Sequence, residues 1–299
     1  MNNNTAKPFV KWVGGKGQLL DSLVKRLPLC FFQNKDITYI EPFVGGGAML
    51  FYMLRTFSNI KRVVINDINP ELITSYKTVR DNPTELIKSL ASIQDEYMAT
   101  DDDKKKDYYL QIRNKYNTKT DDPIEITTMF FFLNRTCFNG LYRVNKTGQF
   151  NVPYGKYKKP NICNSDIILA DSELLQKVEI LTGDFEQTFN FAGNNTFFYF
   201  DPPYRPLNCT SNFNDYAKET FNDAEQVRLK KYCDKVNAAG CKFLLSNSDS
   251  FDDKKQEFFF DHLYSGYYIE RVQANRNVNA NGAKRGKINE VLVRNFNID

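Results

Sequence analysis

The tetrapeptide Asp201-Pro202-Pro203-Tyr204 places an acid, two prolines and an aromatic ring directly after an apolar, aromatic-rich run at residues 196–200. Such a run is typical of a buried strand. Proline has no N–H and a fixed φ, so the two prolines end the strand and stiffen the turn. The turn therefore holds the acid and the ring at the carboxyl end of a strand, where open α/β sheets bind their ligands.

An acid, a backbone carbonyl and a flat ring together suit an amino group on a planar base. The exocyclic nitrogen N6 of adenine is a poor nucleophile because its lone pair is delocalised into the ring. The Asp201 carboxylate and the Pro202 carbonyl would accept its hydrogens and localise that lone pair, while Tyr204 stacks on the base. The nitrogen could then attack an activated methyl group, with positioning and electrostatics contributing most of the catalysis. A strand end that carries these residues without a function is the alternative.

A glycine-rich turn between two predicted strands indicates a pocket for a nucleoside. Gly45-Gly46-Gly47 follows the first strand, and Asp67 closes the next one. Glycine lets the backbone approach a ligand closely, and an acid at the end of the second strand lies where such folds bind ribose hydroxyls. The spacing matches neither the dinucleotide fingerprint nor a phosphate-binding P-loop. A nucleoside cofactor without a pyrophosphate therefore fits better, and S-adenosylmethionine is the natural candidate.

Further aromatic and charged residues extend this predicted pocket. Phe43 or Phe185 could flank an adenine ring, and Asp184 could accept from its amino group. The N-terminal segment carries the only tryptophan, Trp12, and also Lys16, whose charge suits a carboxylate such as the methionine end of the cofactor. An N-terminal segment that simply packs against the fold would explain the same residues.

The bulk composition excludes several classes of function. With 299 residues and 41% hydrophobic content, the chain can form one large or two ordinary domains around a real core. Its six cysteines include no Cys-x-x-Cys pair, which indicates reduced intracellular thiols. Because His262 is the only histidine, a histidine-based metal site or a Ser-His triad is not expected, and we predict no metal. No apolar run is long enough for a bilayer and the N-terminus resembles no signal peptide, so the default is a cytoplasmic protein without a membrane partner.

The remaining pattern alternates strands and helices and predicts an α/β fold with a basic insert. Predicted strands lie at residues 37–40, 62–67, 178–181, 196–200, 241–248 and 290–294, and predicted helices at 48–56, 85–97 and 223–239. Residues 127–165 contain arginines, lysines, aromatics and turn formers but no Asp or Glu, which favours contact with nucleic acid over a merely solvated loop. A second basic segment, which includes Lys284 and Arg285, is predicted to be a loop that grips phosphates.

The motifs form a recognisable set. In chain order it consists of Lys11-Trp12-x-Gly14-Gly15-Lys16, Glu41-Pro42-Phe43-x-Gly45-Gly46-Gly47, Leu133-Asn134-Arg135, Phe138-Asn139-Gly140-Leu141-Tyr142-Arg143, Phe150-Asn151-Val152-Pro153-Tyr154-Gly155-Lys156-Tyr157, Gly183-Asp184-Phe185 and the Asp201 tetrapeptide. With these motifs the chain resembles the Dam-type (alpha-group) DNA adenine-N6 methyltransferases over nearly its whole length.

The resemblance implies a Rossmann-like methyltransferase fold of the α/β class with an inserted helical target-recognition domain and a β-hairpin. Residues 1–74 and 170–299 would form the catalytic domain, and residues 75–169 the target-recognition domain, with the DNA-reading hairpin near 138–158. S-adenosylmethionine would be the methyl donor, and double-stranded DNA with a flipped-out adenine would be the substrate.

The resemblance also implies roles for individual residues. Trp12, Lys16, Phe43, Gly45, Asp67, Asp184, Phe185 and Asp201 would contact the cofactor, while Asp201, Pro202 and Tyr204 would hold the target base. Asn139, Leu141, Arg143, Lys156 and Tyr157 fall where the family reads or wedges its site, usually GATC. Arginine at position 143 suits guanine, because one guanidinium bonds O6 and N7 together.

Several alternatives stay open at this stage. GATC is the expected target and a longer GATC-like or GATATC-type site is the alternative, since Lys156 stands where a close relative carries arginine. A methyltransferase acting on RNA or on a protein amide, and a DNA-binding relative without catalysis, are the competing functions. A cognate restriction endonuclease acting on the same site is a candidate partner, and solitary or phage roles remain alternatives to it.

Overall fold

A computed structural model describes residues 5–205, 221–249, 251–252, 257–275 and 287–298. Contacts divide the chain into two compact units. The first unit comprises the described parts of Met1–Gly15, Gly45–Thr56 and Asp67–Gly183, and the second those of Lys16–Val44, Phe57–Asn66 and Asp184–Asp299. The domain boundaries expected from the resemblance, at residues 74 and 170, stay predictions.

The described elements alternate in the way that the sequence pattern indicates. The helices are α1 (Leu20–Val24), α2 (Leu29–Gln33), α3 (Ala48–Thr56), α4 (Pro70–Asp81), α5 (Pro83–Ala99), α6 (Lys105–Asn117), α7 (Pro123–Thr136), α8 (Ser165–Leu175), α9 (Asp223–Ala238) and α10 (Phe259–Leu263). The strands are β1 (Ile37–Glu41), β2 (Ile60–Asp67), β3 (Val178–Thr182), β4 (Thr196–Phe200), β5 (Lys242–Ser248), β6 (Phe251–Asp252), β7 (Glu257–Phe258), β8 (Tyr268–Asn275) and β9 (Lys287–Arg294). The predicted strands and helices are confirmed, with ends that move by a few residues.

Six strands of the seven-stranded sheet belong to the second unit, in the order β2-β1-β4-β5-β9-β8. The strands β2, β1, β4 and β5 run parallel to one another, whereas β9 runs antiparallel to both β5 and β8. The central strand β4 is buried along its whole length, which explains its uninterrupted apolar sequence. This mixed α/β sheet confirms the predicted fold class.

The order of strands fixes where a ligand can bind in the second unit. The chain continues from β1 to β2 on one side, but β4 pairs with β1 on the other side. The sheet therefore reverses its winding direction between β1 and β4, and ligands bind outside the carboxyl ends of strands at such a switch point. Glu41 ends β1 and Asp201 directly follows β4, so both acids lie at this edge of the sheet.

Helices dominate the first unit, and their starts follow from capping chemistry. Asn69 caps α4 by accepting from the Leu72 N–H, and Asp122 caps α7 by accepting from the Ile124 N–H. Each cap is followed by proline at the first helical position, where a missing N–H costs nothing. Helix α7 is buried over most of its length and supplies aromatic core residues, among them Phe130, Phe131 and Phe132. None of the helices that the structure describes combines the length and apolar character that a membrane-spanning helix needs.

Candidate active site

Four polar side chains of the second unit meet where β4 ends, and we call this group the acceptor corner: Lys16, Asp201, Tyr204 and Glu290. The Lys16 ammonium lies 2.5 Å from Asp201 Oδ1 and 2.8 Å from the Tyr204 hydroxyl. The Tyr204 hydroxyl in turn donates to Glu290 Oε1. Lys16 and Glu290 have side chains only 3% and 8% exposed, whereas Asp201 is 21% exposed. Lys16 and Glu290 are therefore buried in the corner, whereas part of the Asp201 side chain is accessible to solvent.

Neighbouring elements hold the turn that carries Asp201 and Tyr204. Gln226 of α9 donates through Nε2 to the Pro203 carbonyl at 3.2 Å. Ser248, at the end of β5, donates to the Arg205 carbonyl at 3.1 Å. These two contacts anchor the turn from both sides, and the two prolines restrict its backbone. The local sequence and its partners therefore produce a rigid acceptor, as catalysis by positioning requires.

The two oxygens of Asp201 have different surroundings. Oδ1 faces Lys16 and also accepts from the Ser246 hydroxyl at 3.5 Å. Among the described residues, none donates a hydrogen bond to Oδ2. Burial raises the pKa of Asp201, while the Lys16 charge and the hydrogen bonds from Lys16 and Ser246 oppose that rise. The second oxygen is thus the one with capacity for an amino group.

A second acid, Glu41, lies buried at the end of β1 with 2% of its surface exposed. The Tyr39 hydroxyl donates to Glu41 Oε1 at 2.5 Å. Burial raises the pKa of Glu41 to about 8, and the charge of Asp201 adds to the rise, although the Tyr39 hydrogen bond opposes it. Glu41 is therefore expected to be protonated at neutral pH, which limits the negative charge beneath Asp201.

The raised pKa of Glu41 predicts a pH-dependent stability. The folded protein holds a proton there that the unfolded chain releases near its usual value of about 4.5, so the stabilisation is complete below that pH and is lost as pH rises through about 8. In this window Glu41 should contribute a slope of up to about 1.4 kcal/mol per pH unit. Urea unfolding of wild type and Glu41→Gln at pH 5 to 8 measures it, because the variant should lack this slope. Parallel stability profiles would show that Glu41 titrates normally.

The second unit also contains the aromatic pair predicted to flank an adenine ring. Phe43 and Phe185 pack with their ring centroids 5.1 Å apart, which leaves no room for a base between them. Phe185 is 4% exposed and its other side is covered by Arg228, whose guanidinium carbon lies 4.2 Å from the ring centroid. The half-buried ring of Phe43 is therefore the better stacking surface, with Phe185 behind it.

Asp184 precedes Phe185 and already has strong partners. Arg228 bonds both of its oxygens, at 3.1 Å and 2.7 Å, and the Glu186 N–H donates to Oδ1 at 2.9 Å. The Arg228 hydrogen bond lowers the pKa of Asp184, so this side chain is a carboxylate at neutral pH. It retains acceptor capacity, because a carboxylate has about four lone-pair sites, and its position is fixed by Arg228.

The glycine-rich turn belongs to the first unit and is organised around Asp67. The Gly45 N–H donates to Asp67 Oδ2 at 3.0 Å, and the Asn69 N–H donates to Oδ1 at 2.9 Å. Burial raises the pKa of Asp67, and these N–H groups oppose the rise. The structure thus orients one half-buried carboxylate beside a glycine turn, an arrangement suited to sugar hydroxyls.

Packing explains why this turn consists of glycines. A Cβ at Gly45 would lie 2.9 Å from Trp12 Cδ1, and a Cβ at Gly46 would lie 2.9 Å from Trp12 Cβ. Gly45 also has a φ of 48°, which favours glycine. Trp12 itself stacks on Tyr142 with the ring centroids 5.4 Å apart. The tryptophan of the N-terminal segment therefore packs between the glycine turn and the segment predicted to read DNA, within the same unit.

The segment at residues 138–158 folds back on itself, but mostly without a continuous ladder. It has two isolated antiparallel bridges, Cys137 with Tyr154 and Val144 with Phe150. Beyond the Val144–Phe150 bridge, the Asn145 side chain accepts from the N–H groups of Thr147 and Gln149, at 3.0 Å and 2.9 Å, and closes the tip. Backbone hydrogen bonds from the Asn145 N–H to the Gln149 carbonyl and from the Asn151 N–H to the Arg143 carbonyl, at 2.8 Å and 3.0 Å, join the two arms, so the segment forms a short, irregular hairpin.

Arg143 lies at the start of this tip and is held by Asn151. Its Nε donates to Asn151 Oδ1 at 2.7 Å, and its Nη2 donates to the Asn151 carbonyl at 3.2 Å. Nη1 makes no hydrogen bond to any residue that the structure describes. The guanidinium is therefore oriented by one edge and keeps donors for an external acceptor.

The other residues predicted to contact DNA lie in the same segment. Asn139 is exposed and has a φ of 55°, Lys156 is exposed with a φ of 58°, and Leu141 and Tyr157 are half-buried. A buried amide, Asn134, supports this surface: it accepts from the Lys11 N–H at 2.8 Å and donates to the carbonyls of Lys11 and Gly140 at 2.8 Å and 3.1 Å. The predicted Lys284 and Arg285 lie outside the described residues.

Three residues of these sites, Glu290, Ser246 and Arg228, were not predicted from the sequence. Glu290 directly precedes the apolar run of β9 and Ser246 lies within β5, so the one available signal is a polar residue beside or within an apolar run. Arg228 lies on a helix rich in charged residues, and nothing in its spacing marks it as the partner of Asp184. Within the described ranges, no group of three or more His, Cys, Asp or Glu residues could hold a metal ion.

Comparison with known proteins gives a consistent result. A family model described as D12 class N6 adenine-specific DNA methyltransferase matches residues 12–278. The type II methyltransferase M.MjaIII of Methanocaldococcus jannaschii is 45% identical over 293 residues, which is 97% of this chain and 99% of the relative. The type II methyltransferase M1.LlaDCHI of Lactococcus lactis subsp. cremoris is 38% identical, with 99% and 97% covered. A DNA adenine methylase of Haemophilus influenzae is 35% identical, with 96% and 93% covered.

Proposed function

This chain belongs to the D12 class N6 adenine-specific DNA methyltransferases, and on that premise we propose that it transfers a methyl group from S-adenosylmethionine to an adenine flipped out of duplex DNA, within the site GATC. The family membership confirms the resemblance seen in the sequence, and with it an enzyme that methylates adenine in DNA. The observation that carries the rest of the proposal is the acceptor corner. It holds a partly accessible carboxylate, whose Oδ2 accepts from no described residue, and a tyrosine ring at the switch point of the sheet.

In the proposed reaction the corner binds the adenine by its amino group. Asp201 Oδ2 and the Pro202 carbonyl accept the two hydrogens of N6, and the ring of Tyr204 supports the base. The two hydrogen bonds localise the nitrogen lone pair, which would form the new N–C bond to the methyl carbon as the C–S bond breaks and its electrons leave with the neutral thioether. The methylated nitrogen is transiently cationic, and the negative charge of Asp201 stabilises it as it forms. Its proton then leaves readily, because an ammonium on an aromatic ring is acidic.

The residues present suit S-adenosylmethionine, which supplies a methyl group on a positively charged sulfur. In the first unit, Asp67 would bind ribose hydroxyls beside Gly45, and Trp12 would support that turn. In the second unit, Phe43 would stack on the adenine of the cofactor in front of Phe185, and Asp184 would accept from its amino group. Lys16 would still attract the carboxylate of the methionine end, although its ammonium also binds Asp201.

Recognition of the DNA site is assigned to residues 138–158. Arg143 would bond one guanine, and Asn139, Leu141, Lys156 and Tyr157 would contact neighbouring bases or the backbone. Reaching the corner requires the adenine to leave the duplex, so we include base flipping in the proposal. Two of the similar proteins are named type II methyltransferases, which supports a cognate restriction endonuclease as the partner that acts on the same site.

Duplex affinity is expected to fall steeply with salt, because exposed cations of residues 127–165 would neutralise phosphates. If four of them reach the backbone, affinity should fall roughly 100-fold between 50 mM and 200 mM salt. In the variant with Lys146→Gln and Lys159→Gln, the slope of log affinity against log salt should decrease by about two. Lys88→Gln, an exposed lysine on α5, is the matched control and should keep the wild-type slope. Affinity that does not change with salt would contradict this assignment.

A product assay tests the proposed function. The purified protein is incubated with S-adenosylmethionine labelled in its methyl group and, side by side, with duplex DNA, RNA and protein. We expect label in N6-methyladenine of duplex DNA. On a panel of duplexes, we expect methylation of those that contain GATC and no methylation of those that contain only GATATC. Label in RNA or protein instead of DNA would contradict the proposed substrate. Methylation of duplexes without GATC would contradict the proposed site.

A further inference from the structure

The strand β9 brings an acid to the acceptor corner that the proposed reaction does not use. Glu290 lies near the start of β9, opposite Ser248 at the end of β5. Because β9 is antiparallel to β5, its first residues reach the edge where the parallel strands end. The neighbours that follow it, Val291, Leu292 and Val293, are fully buried and form the core of the strand. Glu290 is therefore the one residue of this run that turns a charge toward the corner.

Glu290 is a buried carboxylate, and its partners must compensate for the free-energy cost of burying it. Glu290 is 6% exposed, and burial of a carboxylate is costly unless the group is paired and hydrogen-bonded. Its Oε1 accepts from the Tyr204 hydroxyl, and its Oε2 lies 3.9 Å from the Lys16 ammonium. Both partners also belong to the corner: Lys16 contacts Asp201, and Tyr204 carries the ring. Replacing Glu290 by an apolar residue would leave Tyr204 and Lys16 without this acceptor.

The contacts form a connected path from Glu290 to the reacting groups. The Tyr204 hydroxyl donates to Glu290 and accepts from Lys16 at 2.8 Å, so both its hydrogen and its lone pair have fixed directions. These two bonds restrict the rotation of the ring about its side-chain torsions. Lys16 is held by Tyr204 and Asp201 together, which fixes the direction of the Asp201 carboxylate. A change at Glu290 is thus transmitted to both groups that would hold the base.

Building on the proposed function, we propose that Glu290 is a positioning residue for methyl transfer, which orients Tyr204 and Lys16 and thereby fixes the adenine against Asp201. Glu290 does not touch the base. Its loss should therefore slow the chemical step and leave duplex affinity nearly unchanged, because the proposed duplex contacts are the cations of residues 127–165 and do not include Glu290. The amide of Glu290→Gln still accepts from Tyr204, so this variant should retain more activity than Glu290→Ala.

A double-mutant cycle under single-turnover conditions tests this role. We expect Glu290→Ala to lower the methyl-transfer rate about 10- to 100-fold through misplacement of the base. In a Tyr204→Phe background the same change should have an effect smaller by about threefold or more, because the shared hydroxyl is already absent. The control is Glu270→Ala on the neighbouring strand β8, where Glu270 pairs with Arg26 and Arg294 at 2.9 Å and 3.1 Å. It removes a carboxylate from the same sheet and should keep the wild-type rate.

Three results of the cycle would overturn the positioning role, and a fourth result would overturn the proposed function. Full activity of Glu290→Ala, or effects of Glu290→Ala and Tyr204→Phe that multiply independently, would overturn the positioning role. A parallel loss in the Glu270→Ala control would also overturn it, because the effect would then reflect the sheet and not the corner. If the wild-type protein forms no N6-methyladenine, the proposed function itself fails, and this is detected before any variant is compared. Circular dichroism of each variant confirms that the fold is retained.

Discussion

Replacement of Asp201 is expected to produce the largest loss of activity in this protein. Asp201→Ala should lower the rate of methyl transfer by about 10²–10³-fold or more, because it removes one of the two acceptors that activate the amino nitrogen. Asp201→Asn keeps one acceptor oxygen but loses the negative charge, so an intermediate rate is expected. Both variants should still bind S-adenosylmethionine, since the other predicted contacts to it remain.

Single-turnover methylation and equilibrium dialysis of the cofactor together measure this effect. Asp234→Asn is the matched control, because Asp234 belongs to the same unit but pairs with Lys230 on the surface of the helix α9. The control should keep wild-type activity. Removal of Asp201 leaves Lys16 without its nearest partner, so thermal unfolding must show that the variants are folded. Normal turnover by a folded Asp201→Ala protein would remove this residue from the mechanism.

The second large effect is expected in sequence discrimination. Arg143→Ala should reduce the preference for one guanine of the site by about 1–3 kcal/mol, roughly 5- to 150-fold. The change should appear as a more uniform kcat/KM across duplexes that differ at that base pair. Asn151→Ala should produce a smaller change in the same direction, because Asn151 only orients the guanidinium.

A control at the tip of the same segment separates base reading from phosphate binding. Lys146→Ala removes an exposed cation next to the Asn145 turn. It should weaken binding to all duplexes to a similar degree and leave their ranking unchanged. If Arg143→Ala likewise shifts all duplexes equally, Arg143 contacts the backbone and the assignment to guanine is wrong.

Local sequence patterns predicted most of the strands and helices, because the spacing of apolar residues reflects which face of each element is buried. The apolar run of β4, the helical spacing of α5 and the charged helix α9 all have the structures that their periodicity indicates. Capping by Asn69 and Asp122 ahead of proline also follows simple rules. The tip at residues 145–149 is different, because the Asn145 side chain closes it through two backbone N–H groups, a contact that the sequence pattern does not predict.

Contacts between distant parts of the chain could not be predicted in the same way. Lys16 was expected to face a cofactor carboxylate, and the structure places its ammonium on Asp201, 185 positions later in the chain. Asp184 was expected to bind an amino group, and the structure shows its pairing with Arg228. Glu290 reaches the corner only because β9 is antiparallel to β5. Each of these contacts depends on topology, which a spacing rule does not contain.

The most direct test of the central claim is the structure of this protein bound to a duplex with its target site and to an unreactive analogue of the cofactor. The account predicts an extruded adenine with N6 within hydrogen-bond distance of Asp201 Oδ2 and the Pro202 carbonyl, and with its ring on Tyr204. An adenine that stays stacked in the duplex, or a base held elsewhere while Lys16 and Glu290 close the corner, would contradict it.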